Sequence, residues 1–313
     1  DWSGTISNCR ATGNVTGARY VGGLVGYTDS GTISQCFMTG NVNGSNNNTG
    51  GIVGYTEFNA TVSNCYATGK VSSSGNFIGG LVGRSNHLDG KILNCYATGN
   101  VNGAIDVGGL VGYNSGTMSN CSAFGKVSGT GNNVGGLVGV SNMGDKMENC
   151  YSTGNVTGVL NVGGLIGSDG GSNGFNCFWD TETSGRATSA GGAGVIGKST
   201  TDMMNNFTFT NAGWDFATVW WMVDGQTRPF LRMEWSEEIR NSHQLQMMAM
   251  DLAANYTLEN DIDLSDITES AQMWGTNMTQ GGGFWPVGSL ATPFTGTFTG
   301  NNHTLDGLYL NRP

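Results

Sequence analysis

The hexapeptide "VGGLVG" at Val21–Gly26 returns as "TGGIVG" at Thr49, "IGGLVG" at Ile78, "VGGLVG" at Val107 and Val134, and "VGGLIG" at Val162. Its first glycine falls at Gly22, Gly50, Gly79, Gly108, Gly135 and Gly163, in steps of 28, 29, 29, 27 and 28 residues. So regular a period constrains the fold more than any other feature. Each repeat must be one structural unit that buries its apolar face against its neighbours. A phosphate-cradling loop would open a helix and carry a Lys-Ser/Thr pair or a distal acid. Here polar turn residues and another strand pattern follow each block, which excludes a nucleotide site.

A second phrase lies between the glycine blocks. "GKILNCYATGNVNG" at Gly90–Gly103 is echoed by "GTISNCRATGNVTG" from Gly4 and "GTISQCFMTGNVNG" from Gly31. Alternation points Cys95, Ala97, Gly99 and Val101 one way and Tyr96, Thr98 and Asn100 the other. Ile92 is out of phase with Cys95, which predicts a corner at Asn94, a residue type that tolerates the left-handed backbone. In the glycine block either Leu110 or the pair Val107 and Val111 faces inward, and alternation leaves the two phases open.

Three short strands and three corners in about 28 residues predict an all-β chain, a parallel β-helix of about six to seven coils. A propeller blade needs about 40 residues, and the leucine-rich repeat needs its own Leu and Asn spacing. Ile6, Ile33, Val62, Ile92, Met118 and Met147 should stack as one apolar column. Composition agrees: 54 of 313 residues are Gly, 4 are Pro and 12% are charged, while 37% are hydrophobic, enough for a core. A net charge of −10 with 13 scattered Lys and Arg excludes nucleic acid as a partner. No apolar run is long enough to insert into a membrane as a helix.

Cys9, Cys36, Cys65, Cys95, Cys121, Cys150 and Cys177 occupy one place in successive repeats. Parallel side chains one strand spacing apart keep their Cβ atoms beyond disulfide distance, so the sequence predicts a ladder of free, buried thiols. Metal ligation by them would need convergent spacing, which is missing. An aromatic column of Phe37, Tyr66, Tyr96, Tyr151 and Phe178 starts at Arg10 and breaks at Ser122. Facing solvent, its rings could bind sugars; facing one another, they would only stabilise the stack.

Other candidate sites are weaker. Asp261, Asp263 and Asp266 in "NDIDLSD" offer hard oxygen donors for calcium but lack the EF-hand spacing. Asp180 and Glu182 could pair as glycosidase carboxylates. His87, His243 and His303 are dispersed in sequence.

The blocks "GGLVG" and "GxIxNCYATGNVxG" resemble the GLUG repeats of bacterial and archaeal surface proteins. These include large adhesins and the repeat region beside zinc-dependent immunoglobulin A1 peptidases. "NCFWDTETSGRATSAGGAGVIGKSTTDM" at Asn176 and "GWDFATVWWMVDGQTRPFL" at Gly213 resemble the module that closes such arrays. "NSHQLQMMAMDLAANYTLENDIDLSD" from Asn241 and "FWPVGSLATPFTGTFTGNNHTLDGLYL" from Phe284 resemble the module that opens one, with Asn302 and Val287 in place of the usual Gly and Ile. The peptidase HExxH motif is absent from the chain.

The resemblance implies a secreted or cell-surface solenoid. It divides the chain into a GLUG-type coil array at 1–175, a closing module at 176–235 and an opening or capping module at 236–313. Trp214, Phe216, Trp220, Trp221 and Phe230 are expected cap residues, and Ile239, Leu245, Met248 and Leu252 predict a helix from about Glu237 to Leu252. The expected role is structural or adhesive and non-enzymatic, without a cofactor. Expected partners are a host or cell-surface glycan or protein, or a second copy, since the open first coil and the C-terminal module could stack head-to-tail into a filament. A polysaccharide-cleaving β-helix enzyme is the third reading.

Overall fold

A computed structural model of the chain describes residues 4–142, 144, 146–171, 173–276 and 281–312. Two compact units emerge: one comprises Asp1–Met203 with Asn211–Trp214, the other Met204–Thr210 with Asp215–Pro313. The division falls inside the segment 176–235.

The first unit is a parallel β-helix, as the period predicts. It has four parallel sheets where three were expected. The first collects Thr5–Ser7, Thr32–Ser34, Thr61–Ser63, Lys91–Ala97, Thr117–Ala123 and Lys146–Glu148, and continues to Cys177–Asp180 and Val195–Lys198. The second runs from Val15–Gly17 to Val156–Thr157, the third from Val21–Gly22 to Leu160–Gly163, and the fourth from Val25–Thr28 to Ile166–Asp169, six strands each. The extra corner is the glycine pair. "VGGLVG" is two strands joined by a bend, and Val107, Leu110 and Val111 are all fully buried because the chain turns between them.

Only glycine fits this bend. A Cβ on Gly108 would lie 2.0 Å from the Val111 carbonyl oxygen, and one on Gly109 would lie 2.1 Å from that of Gly136 in the next coil. The same Gly109 Cβ would approach the Ala123 methyl at 2.9 Å, which explains why small Ala67, Ala97 and Ala123 stand opposite the bends.

The apolar column forms in the expected register: Ile6 pairs with Ile33, Ile33 with Val62, Val62 with Ile92, Ile92 with Met118 and Met118 with Met147. From Ile33 onward every member is at most 1% exposed. Burying each such side chain is worth roughly 1.5–3 kcal/mol. In the first coil Ile6, Cys9, Ala11, Val15, Leu24 and Val25 are only partly buried.

Two columns of left-handed residues set the corners. Asn8, Gln35, Asn64, Asn94, Asn120, Asn149 and Asn176 have φ of 52–54°, so the Asn94 corner is where the sequence places it. A second column, Tyr20, Asn48, Phe77, Asp106, Asn133 and Asn161, precedes each glycine block with φ of 53–65°. Side-chain amides link neighbouring corners: Asn94 donates to Asn64 at 3.1 Å, Asn120 to Asn94 at 3.0 Å, and Asn161 to Asn133 at 2.8 Å.

The last coil is closed by a residue outside the expected cap set. Trp179 pairs with Ser152, in the column where earlier coils carry alanine. Its indole occupies the space beside Gly164, and its Nε1–H donates to the Arg186 carbonyl at 2.9 Å. Of the expected caps, Trp214 belongs to this unit, donating through Nε1–H to the Asn176 carbonyl at 2.9 Å and lying 5.9 Å from the Phe178 ring. Phe216, Trp220, Trp221 and Phe230 belong to the second unit, where Trp220–Trp221 pairs antiparallel with Phe230–Leu231.

Among its described residues the second unit shows no array of coils. It holds a short α-helix at Asn206–Thr210 and another at Ser242–Met247, the latter capped by the Asn241 side chain accepting from the Gln244 N–H at 2.8 Å and followed by a short 3-10 turn at Met248–Met250. The Ser242–Met247 helix is shorter than the expected 237–252 because Glu238–Ile239 joins a parallel strand pairing with Thr257 and Leu258. Ile239 is buried there as a strand residue, so its helical spacing to Leu245 was coincidental. Tyr256 pairs onward with Phe298, and Ile262 with Leu305, again in parallel. No helix among the described residues is long and apolar enough to cross a membrane.

Candidate functional site

The seven cysteines are free, with Cys9 half-buried and the other six buried. Each described thiol is held by backbone: Cys95 donates to the Leu93 carbonyl at 3.2 Å and lies 3.7 Å from that of Val62, and Cys65 and Cys121 repeat this pattern. Burial pushes the Cys150 thiol well above its ordinary range, followed by its contacts with Cys121 and Cys177. Buried and held by backbone in this way, the thiols act as packing groups.

The expected aromatic column turns its faces along the stack. Phe37 and Tyr66 lie 4.9 Å apart at 1°, and Tyr66 and Tyr96 5.0 Å apart at 8°. Tyr66, Tyr96, Tyr151 and Phe178 are buried, and Phe37 is half-buried. Where Ser122 interrupts the column, Phe124 meets Tyr151 edge-on at 5.5 Å. These rings therefore offer their faces to one another instead of forming an open platform for sugars.

A different aromatic cluster lies outside the core, on the outward side of the fourth sheet. Tyr27, Tyr55, Arg84 and Tyr113 are in register one coil apart. Tyr27 and Tyr55 stack at 5.5 Å, and the Arg84 guanidinium lies 4.7 Å from the Phe77 ring and 4.9 Å from that of Tyr113. Tyr27 donates to Glu57 at 2.9 Å and Tyr55 to Glu57 at 3.1 Å, while Asn86 donates to the Tyr55 hydroxyl at 3.1 Å and accepts from Arg84 at 2.7 Å. The Glu57 hydrogen bond pushes the Tyr27 hydroxyl well above its usual range, with burial adding to it.

Glu57 and Asn86 begin the loops that leave this sheet, so the cluster braces two successive loops, 57–60 and 86–90. Between them lies an open cleft of about 610 Å³ lined by Phe58, Asn59, Thr61, His87, Asp89 and Lys91. Phe58 is 50% exposed and Leu88 58%. The signal was present in the sequence as a fixed-offset column, Tyr27, Tyr55, Arg84 and Tyr113, each two residues after the Val of a glycine block. It was masked because its chemistry changes from coil to coil.

The carboxylate candidates have separate partners. Asp261 accepts from the Thr304 N–H at 2.8 Å, Asp263 from the Ser265 N–H at 2.9 Å and Asp266 from the Ser242 hydroxyl at 2.5 Å. Those amides hold Asp261 and Asp263 below the usual carboxylate range, whereas burial pushes Asp266 up. The three do not share a calcium site. Among the described residues no group of three His, Cys, Asp or Glu side chains converges as metal ligands. Asp180, fully buried, caps the turn Thr181–Ser184 by accepting from Glu182 N–H and Thr183 N–H, and also accepts from the Thr200 hydroxyl at 2.9 Å. Glu182 accepts from the Thr200 N–H at 3.0 Å.

The histidines remain apart. His303 lies 3.4 Å from Asp261 at the surface, and buried His243 lies 3.2 Å from buried Glu234. Burial opposes protonation of His243, but Glu234 and then Asp266 favour it and prevail, raising its pKa.

The GLUG motif matches residues 17–43, 45–72, 75–102, 103–128 and 130–157. A curated relative from Evansella cellulosilytica, provisionally named a Gly-rich membrane protein, is 41% identical over 114 residues, 33% of this chain and 12% of that relative's length. A solved structure from Bacteroides ovatus, named as a candidate immunoglobulin A1 protease, is 25% identical and covers 74% of this chain and 75% of its own, with a TM-score of 0.45. Five stretches between residues 17 and 157 match the GLUG motif, and such repeats on a β-solenoid fit a surface-associated repeat protein.

Proposed function

We propose that the chain is a non-enzymatic, extracellular β-solenoid with structural and adhesive work, secreted or held at a cell surface. The observation that carries this reading is the unbroken stack of inward columns from coil to coil. Such a stack gains length by adding repeats, each stabilised by its neighbours. It holds outward side chains at fixed spacing on a stiff backbone, as a spacer or adhesive stalk requires. The engagement of both Asp180 oxygens in capping and hydroxyl bonds supports the non-enzymatic part of the reading.

Beads coated with the purified chain should adhere to glycan- or cell-coated surfaces, while soluble polysaccharide and peptide mixtures remain uncleaved. Cleavage abolished by Asp180→Asn would contradict the proposal. Self-association through the edge strand Phe298–Thr299, whose Phe298 is 41% exposed, is a second reading. Light scattering over a wide concentration range should then show growing particles, and a constant monomer mass would end it.

A further inference from the structure

We infer that the cleft between loops 57–60 and 86–90 is a binding site for a neutral pyranose at the end of a glycan. This rests on the adhesive part of the reading above and names its ligand class. The floor is Thr61 and Lys91, paired across the first sheet, and the walls are Phe58 and Asn59 on one coil and His87 and Asp89 on the next.

Three features converge there. First, the lining is amphipathic. The Phe58 ring is half open to solvent and tilted at 5.6 Å to the His87 ring, giving an apolar wall, while Asn59, Thr61, Asp89 and Lys91 supply donors and acceptors. A pyranose has the matching surfaces, an apolar C–H face and a rim of hydroxyls. A phosphate-like anion fits less well, because the Asp89 carboxylate shares the lining with Lys91. A purely apolar ligand would leave the polar wall dehydrated.

Second, Phe58 is strained. Its φ of 42° lies outside both left-handed corner columns, on a large residue for which that region is disfavoured. An exposed aromatic residue held in strain with no core to fill points to function.

Third, the walls are held in place. Glu57, next to Phe58, is anchored by the hydroxyls of Tyr27 and Tyr55, and Asn86, next to His87, is anchored between Arg84 and Tyr55. The Asp89 N–H donates to His87 Nδ1 at 3.2 Å, which ties the ring to its own loop. Such bracing reduces the ordering cost of binding.

The test is titration of the isotope-labelled full chain with four probes, the methyl glycosides of glucose, galactose, mannose and N-acetylglucosamine, at millimolar concentration. At least one should saturably shift the resonances of Asn59, His87 and Lys91. Phe58→Gly should weaken that binding at least tenfold while leaving the melting temperature unchanged or higher, because glycine relieves the left-handed strain. Asp89→Asn should also weaken it, and Thr157→Ala, on a distant exposed strand, should not. Silence of all four probes would overturn the inference. So would shifts unaffected by Phe58→Gly, or equal shifts with inorganic phosphate, which would mark an anion site. Adhesion that survives Phe58→Gly would overturn the cleft while leaving the structural and adhesive reading intact.

Discussion

The two units solve burial in opposite ways. In the coil array most inward positions are filled by the same kind of residue from turn to turn, so contacts are made by copies: Val42 on Val71, Val71 on Val101, and Cys95 on Cys121. In the second unit buried polar groups are satisfied by one-off pairings. Gln246, fully buried, accepts from the Trp274 indole and from the Trp285 N–H and donates to the Trp285 carbonyl, while Arg228 donates to the Ser270 carbonyl. Periodicity makes the first arrangement tolerant of changes outside the ladder and intolerant at the corners. The second depends on single pairs.

The largest expected effect is at an array corner. Gly109→Val should destabilise the array by more than about 4 kcal/mol, since its Cβ has no space beside the Gly136 carbonyl and backbone must move. Gly225→Ala in the second unit meets no atom within 4 Å and should cost only about 1 kcal/mol, from its positive φ of 71°. Equal costs in urea unfolding would break the contrast.

Next is the paired group of the second unit. His243→Ala strands the buried Glu234 carboxylate and should cost about 3 kcal/mol. The sign of its pH dependence follows from the raised pKa. The stabilisation is complete below the unfolded histidine value of about 6.5 and fades as pH rises through the higher folded value. Thermal melts across that window should show the fade in the native chain and its loss in the variant.

Tyr96→Ala should cost about 2 kcal/mol through lost stacking and burial, yet leave adhesion unchanged because the ring serves the stack. Reduced adhesion at undiminished stability would reassign that column as a binding surface.

The smallest expected effect sharpens the role of the second left-handed column. Asp106, 9% exposed, accepts from Asn133 at 2.7 Å, and burial raises its pKa. Its contribution to stability is therefore complete below about pH 3.9 and lost as pH rises through its folded value. Asp106→Asn should gain on the order of 0.5 kcal/mol at neutral pH, with solvent screening keeping the effect small.

Legibility in the sequence follows the same contrast. The period, the apolar column, the free cysteine ladder and the Asn94 corner were readable because copies six or seven deep average out local noise. The glycine bend was not, because Gly-Gly flanked by Val looks like continuous strand. The second left-handed column was hidden by Tyr20 and Phe77, large residues that do not advertise such a backbone. Trp179 escaped notice as the plug because only its register opposite Ser152 reveals the role. In the second unit apolar spacing overextended the helix to 237–252, with no second copy to correct it. The cleft at Phe58 depends on loops whose lengths differ from coil to coil, so alignment of the repeats passes over it.

The measurement that bears most directly on the stacked-coil account is a pair of spin-label distances. Thr16, Asn43, Ser72, Asn102, Ser128 and Thr157 are successive register partners on the second sheet. In a Cys9→Ala background, labels at Thr16→Cys and Thr157→Cys should lie about 24 Å apart, and labels at Asn43→Cys and Thr157→Cys about 19 Å, a decrease of one strand spacing for one coil. Equal separations for the two pairs, or a change of several strand spacings, would contradict the ladder on which both the spacer role and the placement of the cleft depend.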